Sequence, residues 1–404
     1  MENFTKIFQH LIEFVEIVLF IYFSISCLYV LMFAVAGHTY KKRKRVLSSE
    51  LSNIAVFIPA YKEDFVIVEV TKNAMMQQYP PSFYDIIVIA DSLKVETLSK
   101  LRKLPIIVAE VSFENSTKVK SINAALNCLD KPYDYAIVLD ADNIMEPNFL
   151  AKMNTAFANG HLAVQGHRKA KNLNTSFAIL DAASEEINNH IYRRGHSALG
   201  LSSGLIGSGM GFEYSLFKTT MKTIKAIGGF DKELEFELAK KDIAIEYLQD
   251  AVVLDEKVQN SNDFSNQRRR WLATQIIYFK KYYKKALGEL CLRGNLNFFD
   301  KVFQMIVPPR ILLIGITSLT TLFYMILNFG LNLETKVSGY FWLVNLILLV
   351  VSFMLALPNS FYNSSTLKAM ASIPSAFIRM FHLLFKLKGA NKKFIHTTHG
   401  VIKT

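Results

Sequence analysis

Tyr135-Ala-Ile-Val-Leu-Asp-Ala-Asp-Asn143 is the stretch on which the reading of this chain turns. Ala136 to Leu139 is short, apolar and partly β-branched, the composition of a buried strand. It breaks abruptly into two acids, Asp140 and Asp142, with one small residue between them. In open α/β sheets ligands bind in the crevice outside the carboxyl ends of the strands. Paired carboxylates there suit a hard divalent cation, and Mg²⁺ held this way keeps coordination sites open for substrate phosphates. An isolated Asp-Ala-Asp is more often an acidic turn, so the reading depends on its surroundings.

Upstream, Ile54 to Pro59 reads as a buried strand running into Ala60-Tyr61-Lys62-Glu63-Asp64. A helix is expected from Asp64 to Gln78, ended by Pro80-Pro81. Asp85 to Ala90 is a second strand that ends at Asp91, Thr97 to Lys103 a helix, Pro105 to Val111 a third strand, and Lys118 to Cys128 an amphipathic helix. Strands alternating with helices imply a mostly parallel sheet covered on both faces. No G-x-G-x-x-G follows the first strand, so a dinucleotide fold is not indicated.

Downstream, His161 to Gly166 is a further strand and Phe177 to Arg193 a long helix. Leu199 to Phe212 is rich in Gly and Ser, with glycines that let a backbone pass close to a ligand or another chain; the plainer alternative is a flexible turn. It makes a weak phosphate cradle, because no Lys-Ser/Thr pair follows. Gly228-Gly229-Phe230-Asp231 feeds a helix from Lys232 to Lys240. Ile243 to Val253 reads as two short strands, and Asn262 to Lys281 as a helix carrying Gln267-Arg268-Arg269-Arg270-Trp271.

The chain has 404 residues, of which 51% are hydrophobic, and a mean hydropathy of +0.22. The apolar residues concentrate at the two ends. Ile17 to Ala36 approaches the roughly 20 apolar residues that cross a bilayer. The basic run Lys41-Lys42-Arg43-Lys44-Arg45 follows it and places the next domain in the cytoplasm by the positive-inside rule. Ile311 to Leu331 and Tyr340 to Leu357 are two more expected spans, and Ile373 to Leu387 an interfacial or re-entrant segment. The resulting expectation is a membrane anchor (1–46), a cytoplasmic domain (47–281), an amphipathic interfacial segment (282–310), a membrane region (311–387) and a basic cytoplasmic tail (388–404), in a multi-pass protein of the cell membrane. Net charge is +12. Its clusters flank membrane segments, which points to an anionic lipid surface rather than to nucleic acid. Cys27, Cys128 and Cys291 are far apart and unpaired in sequence, against a disulfide framework or structural zinc.

In this order and spacing, Ala60-Tyr61-Lys62-Glu63, Asp91, Asp140-Ala141-Asp142 and Gln267-Arg268-Arg269-Arg270-Trp271 resemble the membrane-embedded glycosyltransferases of family 2, the group of the cellulose, chitin, hyaluronan and poly-N-acetylglucosamine synthases. The resemblance covers Ile54 to Gln275. It implies a GT-A fold, α/β with a mostly parallel sheet flanked by helices, and an inverting transfer from a nucleotide-activated sugar, most often a UDP-sugar. Carried over residue by residue, Ala60, Tyr61 and Glu63 hold uracil and ribose, and Asp91 contacts the base or ribose. Lys118 lies near the diphosphate, although Thr117 stands where the family has glycine. Asp140 and Asp142 bind Mg²⁺ or Mn²⁺, and Gln267, Arg270 and Trp271 lie near acceptor and diphosphate. Asp231 aligns with the family's general base; the usual preceding Glu is Phe230 here, and Glu233 and Glu235 stand in reserve. His167, Arg168 and Lys169 are read either as phosphate or acceptor contacts or as a solvated loop.

The first functional reading is a processive polysaccharide synthase extending a β-linked glycan. With few spans a channel within one chain is tight, so a second copy or an export partner would complete it. The alternative is addition of one sugar to a lipid-linked acceptor. More distant is an inactive transferase-like membrane scaffold.

Overall fold

A computed structural model describes residues 2–41, 50–257 and 261–387 of the chain. Eight strands form one mixed sheet in the order β3-β2-β1-β4-β7-β6-β8-β5. Its parallel half comprises β1 (Ile54–Tyr61), β2 (Tyr84–Asp91), β3 (Ile107–Val111) and β4 (Tyr135–Val138). Strand β1 is nearly all buried because parallel neighbours flank it and helices cover its faces. The register aligns Tyr61 with Asp91, and Phe57 with Val138. One carboxyl edge therefore collects the ends of three strands. The sheet continues through β5 (Ile144–Met145), β6 (Ala163–Ala170), β7 (Met210–Glu213) and β8 (Ile245–Asp255), with β7 antiparallel to both β4 and β6.

Helices α2 (Ile67–Ala74), α3 (Val95–Leu101), α4 (Lys118–Cys128), α5 (Phe149–Ala158), α6 (Ser176–Asn188), α7 (His196–Ala198), α8 (Tyr214–Met221) and α9 (Phe230–Lys240) pack around the sheet. Two apolar cores lie on opposite faces of it. Val56, Ile58, Val88, Phe149 and Leu248 belong to one, and Phe57, Ile89, Val138, Phe212 and Leu234 to the other. Each such side chain contributes about 1.5–3 kcal/mol on burial.

Several elements differ from expectation. The helix expected over Asp64 to Gln78 is confined to Ile67–Ala74. The helix expected to reach Arg193 is regular only to Asn188 and widens into a π-helical segment, Asn189–Gly195. Two short strands were expected after Ile243, but β8 is one strand. Its pairing with β6 steps from Gly166↔Leu248 to His167↔Val252, so the polar Gln249 and Asp250 bulge out without ending it. The helix expected to stop at Lys281 runs on as α10 (Ser261–Arg293). Tyr278, Tyr282 and Ala286 pack with Phe236 and Phe298, and Gly294 at φ +66° ends it.

Among the described residues three helices are long and apolar enough to cross a membrane, over Lys6–Thr39, Arg310–Gly330 and Gly339–Ala356. They comprise α1 (Glu2–Thr39), α12 (Arg310–Met325) with its π-helical end, and α13 (Gly339–Ala356). Helix α11 (Leu296–Phe303) precedes α12, and α14 (Ser364–Met370) and α15 (Ile373–Leu384) follow α13. The space between these three helices is filled by side chains: Phe33, Cys27, Leu313, Leu349 and Trp342 are all buried, and Trp342 stacks on Tyr324. Lys42 to Arg45 and the tail from Lys388 lie outside the described residues.

Helix α1 also packs directly on the π-helical segment. A Cβ at Gly195 would lie 2.3 Å from the Phe33 carbonyl oxygen, and one at Gly37 would lie 2.3 Å from His190 Nε2. Backbone on both sides leaves no room to yield at Gly195. Replacement Gly195→Ala is expected to cost about 1–3 kcal/mol of stability as overpacking, read as a lowered melting temperature, with Gly288→Ala, where nothing lies within 4 Å of an added Cβ, as a control that should not lower it.

Candidate active site

The chain leaves the carboxyl edge of β1 and of β2 in the same unusual way. Lys62 and Ser92, each one residue beyond a strand, have φ of 58° and 59°, a region that non-glycine residues rarely enter. These turns keep Ala60, Tyr61, Glu63 and Asp91 on the wall of one cavity of about 1320 Å³. Asp91 is buried and accepts from Ser92 Oγ (3.0 Å) and Ser121 Oγ (3.4 Å).

Asp140 and Asp142 line the same cavity beyond β4. The turn that carries them is held by the Gly-Ser strand-entry segment. Ser208 Oγ accepts from Asp140 N (2.9 Å) and donates to Asn143 Oδ1 (2.6 Å). Gly209 N donates to Val138 O (2.9 Å). Gly207 at φ +83° and Gly209 at φ +61° supply the left-handed backbone this strap needs. Asn143 Nδ2 donates to both Asp142 Oδ1 and Asp255 Oδ1, at 3.0 Å each.

Lys118 opens α4 and joins three parts of the site. Its Nζ pairs with Asp140 Oδ1, donates to Gly207 O (2.8 Å) and lies 5.0 Å from the centre of the Phe230 ring. Thr117, where the family resemblance has glycine, caps this helix by accepting from Lys120 N (3.2 Å). Asp231 begins α9 beside Gly207. Burial raises its pKa above the ordinary aspartate value, reinforced by Glu235, while Lys232 and Lys118 oppose the shift. Gly229 at φ +71° brings this helix start against Thr274 of α10.

Gln267, Arg268, Arg270 and Trp271 of α10 complete the cavity. Among the described residues no hydrogen-bond partner meets the buried Gln267 Oε1. Trp271 is 40% exposed. Arg269 faces elsewhere and donates to Lys386 O (2.7 Å) beyond α15.

A family model described as "Glycosyltransferase like family 2" matches residues 52–274. The chain belongs to this family. It is accordingly a glycosyltransferase, in agreement with its GT-A-like fold. The mannosyltransferase PcManGT from Pyrobaculum calidifontis, solved with GDP-Man and Mn²⁺, shares that fold with a TM-score of 0.53 at 14% identity, over 91% of this chain and 98% of that one. Crystal structures of S. aureus TarS 1–349 align over 81% of this chain with a TM-score of 0.38, at 15% identity alone (91% of that chain) and 14% with UDP-GlcNAc (92%). No curated protein matches the chain by sequence.

The transferase settles several residues into partnerships. Glu235 is 2% exposed and accepts from Leu205 N (2.9 Å) and Lys232 (2.8 Å), with Lys301 at 3.2 Å. Burial favours its neutral form, but those two cations outweigh it and lower its pKa. Glu233 accepts from Lys225 N (3.0 Å) and pairs with Lys281. His167 lies between Tyr247 Oη (2.7 Å) and Glu186 Oε1 (3.1 Å). Lys169 is exposed, and Arg168 alone of that trio lines the cavity.

Sequence reasoning missed Asp181, Glu185, Asp255, Lys257 and Arg310, which line the inner wall. Glu185 Oε2 accepts from Arg168 (2.7 Å), with Lys257 (3.6 Å) and Arg193 (3.6 Å) close by. Burial opposes its ionisation, yet these cations hold its carboxyl well below the usual range. The signal available in the sequence was a run of acids on one side of a helix, which is indistinguishable from a solvated face. Arg268 and Asp181, 6% and 7% exposed, form a pair. Asp181→Asn removes the carboxylate from a buried guanidinium and is expected to destabilise by about 3–5 kcal/mol. The Asp181→Leu/Arg268→Met double variant should lose less in the same denaturant titration.

Proposed function

We propose that this protein transfers a sugar from a nucleotide-activated donor, UDP-linked as the resemblance implies, to an acceptor hydroxyl with inversion at the sugar carbon. The supporting observation is convergence: Asp140, Asp142, Lys118, Asp231, Gln267, Arg270 and Trp271 line one cavity. Ala60, Tyr61, Glu63 and Asp91 take the nucleoside, at the crevice where such sheets bind ligands.

The residues present fit a divalent metal. Asp140 and Asp142 offer hard oxygens, and the Lys118 ammonium already sits on Asp140 as a cation would. Among the described residues no third His, Cys, Asp or Glu joins them, which suits Mg²⁺ or Mn²⁺ with positions left for water and diphosphate. When bound, the metal supplies positive charge to the leaving diphosphate. Lys118 and Arg270 add fixed charge to the same group. Asp231 takes the proton of the acceptor hydroxyl as its oxygen bonds to the sugar carbon and the bond to the diphosphate breaks, releasing UDP. Its raised pKa makes it a stronger base than an ordinary aspartate. Trp271 gives the acceptor ring a flat apolar face, and Gln267 Oε1 an acceptor for one of its hydroxyls. The catalytic domain (47–281) faces the cytoplasm in this reading, at the cell membrane.

The test is UDP release by purified full-length protein with Mg²⁺ or Mn²⁺, using EDTA as control, and sizing of the product. Metal-dependent turnover of one donor supports the reading; no turnover and no UDP binding would overturn it. A ladder of products would establish glycan extension, and a single addition the alternative. Asp142→Asn should abolish transfer. Asp231→Asn should lower kcat by about 10²–10⁴-fold without changing UDP affinity. The base must be ionised to work, so wild-type activity should fall as pH drops through its pKa, above the ordinary aspartate value of about 3.9. The Asp231→Asn variant should lack that acid limb.

A further inference from the structure

The cavity does not end at Trp271. It continues past Leu272 to Val307, Pro308, Pro309, Arg310 and Ile311, where α12 begins, and to Met380 of α15. Leu272, Leu312 and Met380 form an apolar cluster packed by Ile311, Phe377 and Leu383. On the other side α15 exposes Ile378 and Phe381, with the exposed Phe385 just past its end, the pattern of a helix lying in a membrane interface. One space thus joins the carboxylate edge of the sheet to the lipid-facing elements.

The carboxylates Asp181, Glu185 and Asp255 along this inner end are taken by other cations. Glu185 and Asp255 are shared by Arg168 and Lys257, Glu185 also by Arg193, and Asp181 is taken by Arg268. Arg310 bonds only neutral acceptors in the contacts described: Asn188 Oδ1, Ser184 O and Ser184 Oγ. Among the described residues no carboxylate lies within ion-pair distance of it. A guanidinium at the start of α12, with Glu185 acting on it only from beyond ion-pair distance, suits a phosphate, which it can meet with paired donors. The spans themselves are packed solid around Trp342, so the apolar continuation leads along α12 and α15 and not between α1, α12 and α13.

We propose that the acceptor is a sugar carried on a lipid phosphate, with Arg310 holding the phosphate and the tail lying along Ile311, Leu272 and Met380. This rests on the sugar-transfer reading above and names its acceptor class. The carried sugar then extends from Arg310 toward Trp271 and Asp231, and its hydroxyl remains the nucleophile.

Binding tests this without knowledge of either sugar. Full-length protein in phosphatidylcholine nanodiscs would be titrated with a long-chain polyprenyl phosphate, the matching polyprenol, and inorganic phosphate, read by native mass spectrometry. UDP affinity would be measured alongside. Wild type should retain the polyprenyl phosphate and not the polyprenol, and inorganic phosphate should compete only weakly. Arg310→Gln should weaken the lipid phosphate about tenfold or more with UDP affinity unchanged, and Arg310→Lys by less, since charge remains without the planar fork. Arg310 also ties α12 to α6, so Ile311→Trp serves as an independent variant. It narrows the apolar wall and should weaken the long-chain phosphate while sparing a short-chain one. Equal retention of polyprenol and polyprenyl phosphate, or undiminished binding in Arg310→Gln and Ile311→Trp, would overturn the inference. So would inorganic phosphate competing as well as the lipid, which would mark a free-phosphate site. Loss of UDP binding in wild type would instead count against the transfer reading, and the lipid titration would still be decisive for this one.

Discussion

Glu185 is the point on which the interior rests. A carboxylate this deep is tolerable only if ionised partners surround it, because an unpaired buried charge is far more costly than a paired one. Arg168 comes from β6, Lys257 from just beyond β8, Arg193 from the π-helical segment and Glu185 itself from α6. Four separate elements are therefore tied at one place. That place adjoins Asp255, which Asn143 connects to Asp142. The geometry of the acidic pair is in this way set partly by charges on the opposite side of the sheet's edge.

The departures from the family pattern have local compensations. Phe230 stands where an acid is usual, and its ring lies 5.0 Å from the Lys118 ammonium, a cation–π contact. Thr117 replaces a glycine and caps α4. Neither change empties the space it occupies, and Lys118 keeps its bonds to Asp140 and Gly207. These contacts weigh against the degenerate-scaffold reading, whose only support was Phe230.

Much of this was legible because it depends on short-range pattern. Short apolar runs such as Ile54 to Pro59 and Ala136 to Leu139, rich in β-branched residues and followed closely by acids, read as buried strands. The cavity-lining acids lie where those strands end. What stayed hidden depends on distant partners. Nothing local distinguishes Asp181 or Glu185 from a solvated acid until Arg268, Arg168 and Lys257 arrive from as far as 87 residues away. The Gly-Ser stretch read as a close backbone approach or a flexible turn, yet Ser208 clasps both Asp140 and Asn143. Its meaning depends on β4 and β7 being antiparallel neighbours, which is a matter of topology. The extension of α10 to Arg293 was obscured by a change in composition at Lys281 that has no bearing on backbone continuity.

The π-helical segment Asn189–Gly195 faces two ways: Ile191 and Gly195 meet α1, while Tyr192 and Arg193 line the cavity. A wide turn of this kind accommodates one residue more than an α-helix would. Side chains advance about 100° per helical residue, so that extra residue acts as a phase shifter between the halves of the helix. It lets the glycine that touches α1 and the arginine that lies beside Glu185 occupy their own faces at once. A chain shorter by one residue here would have to choose between packing on the apolar helix α1 and completing the charged wall of its cavity.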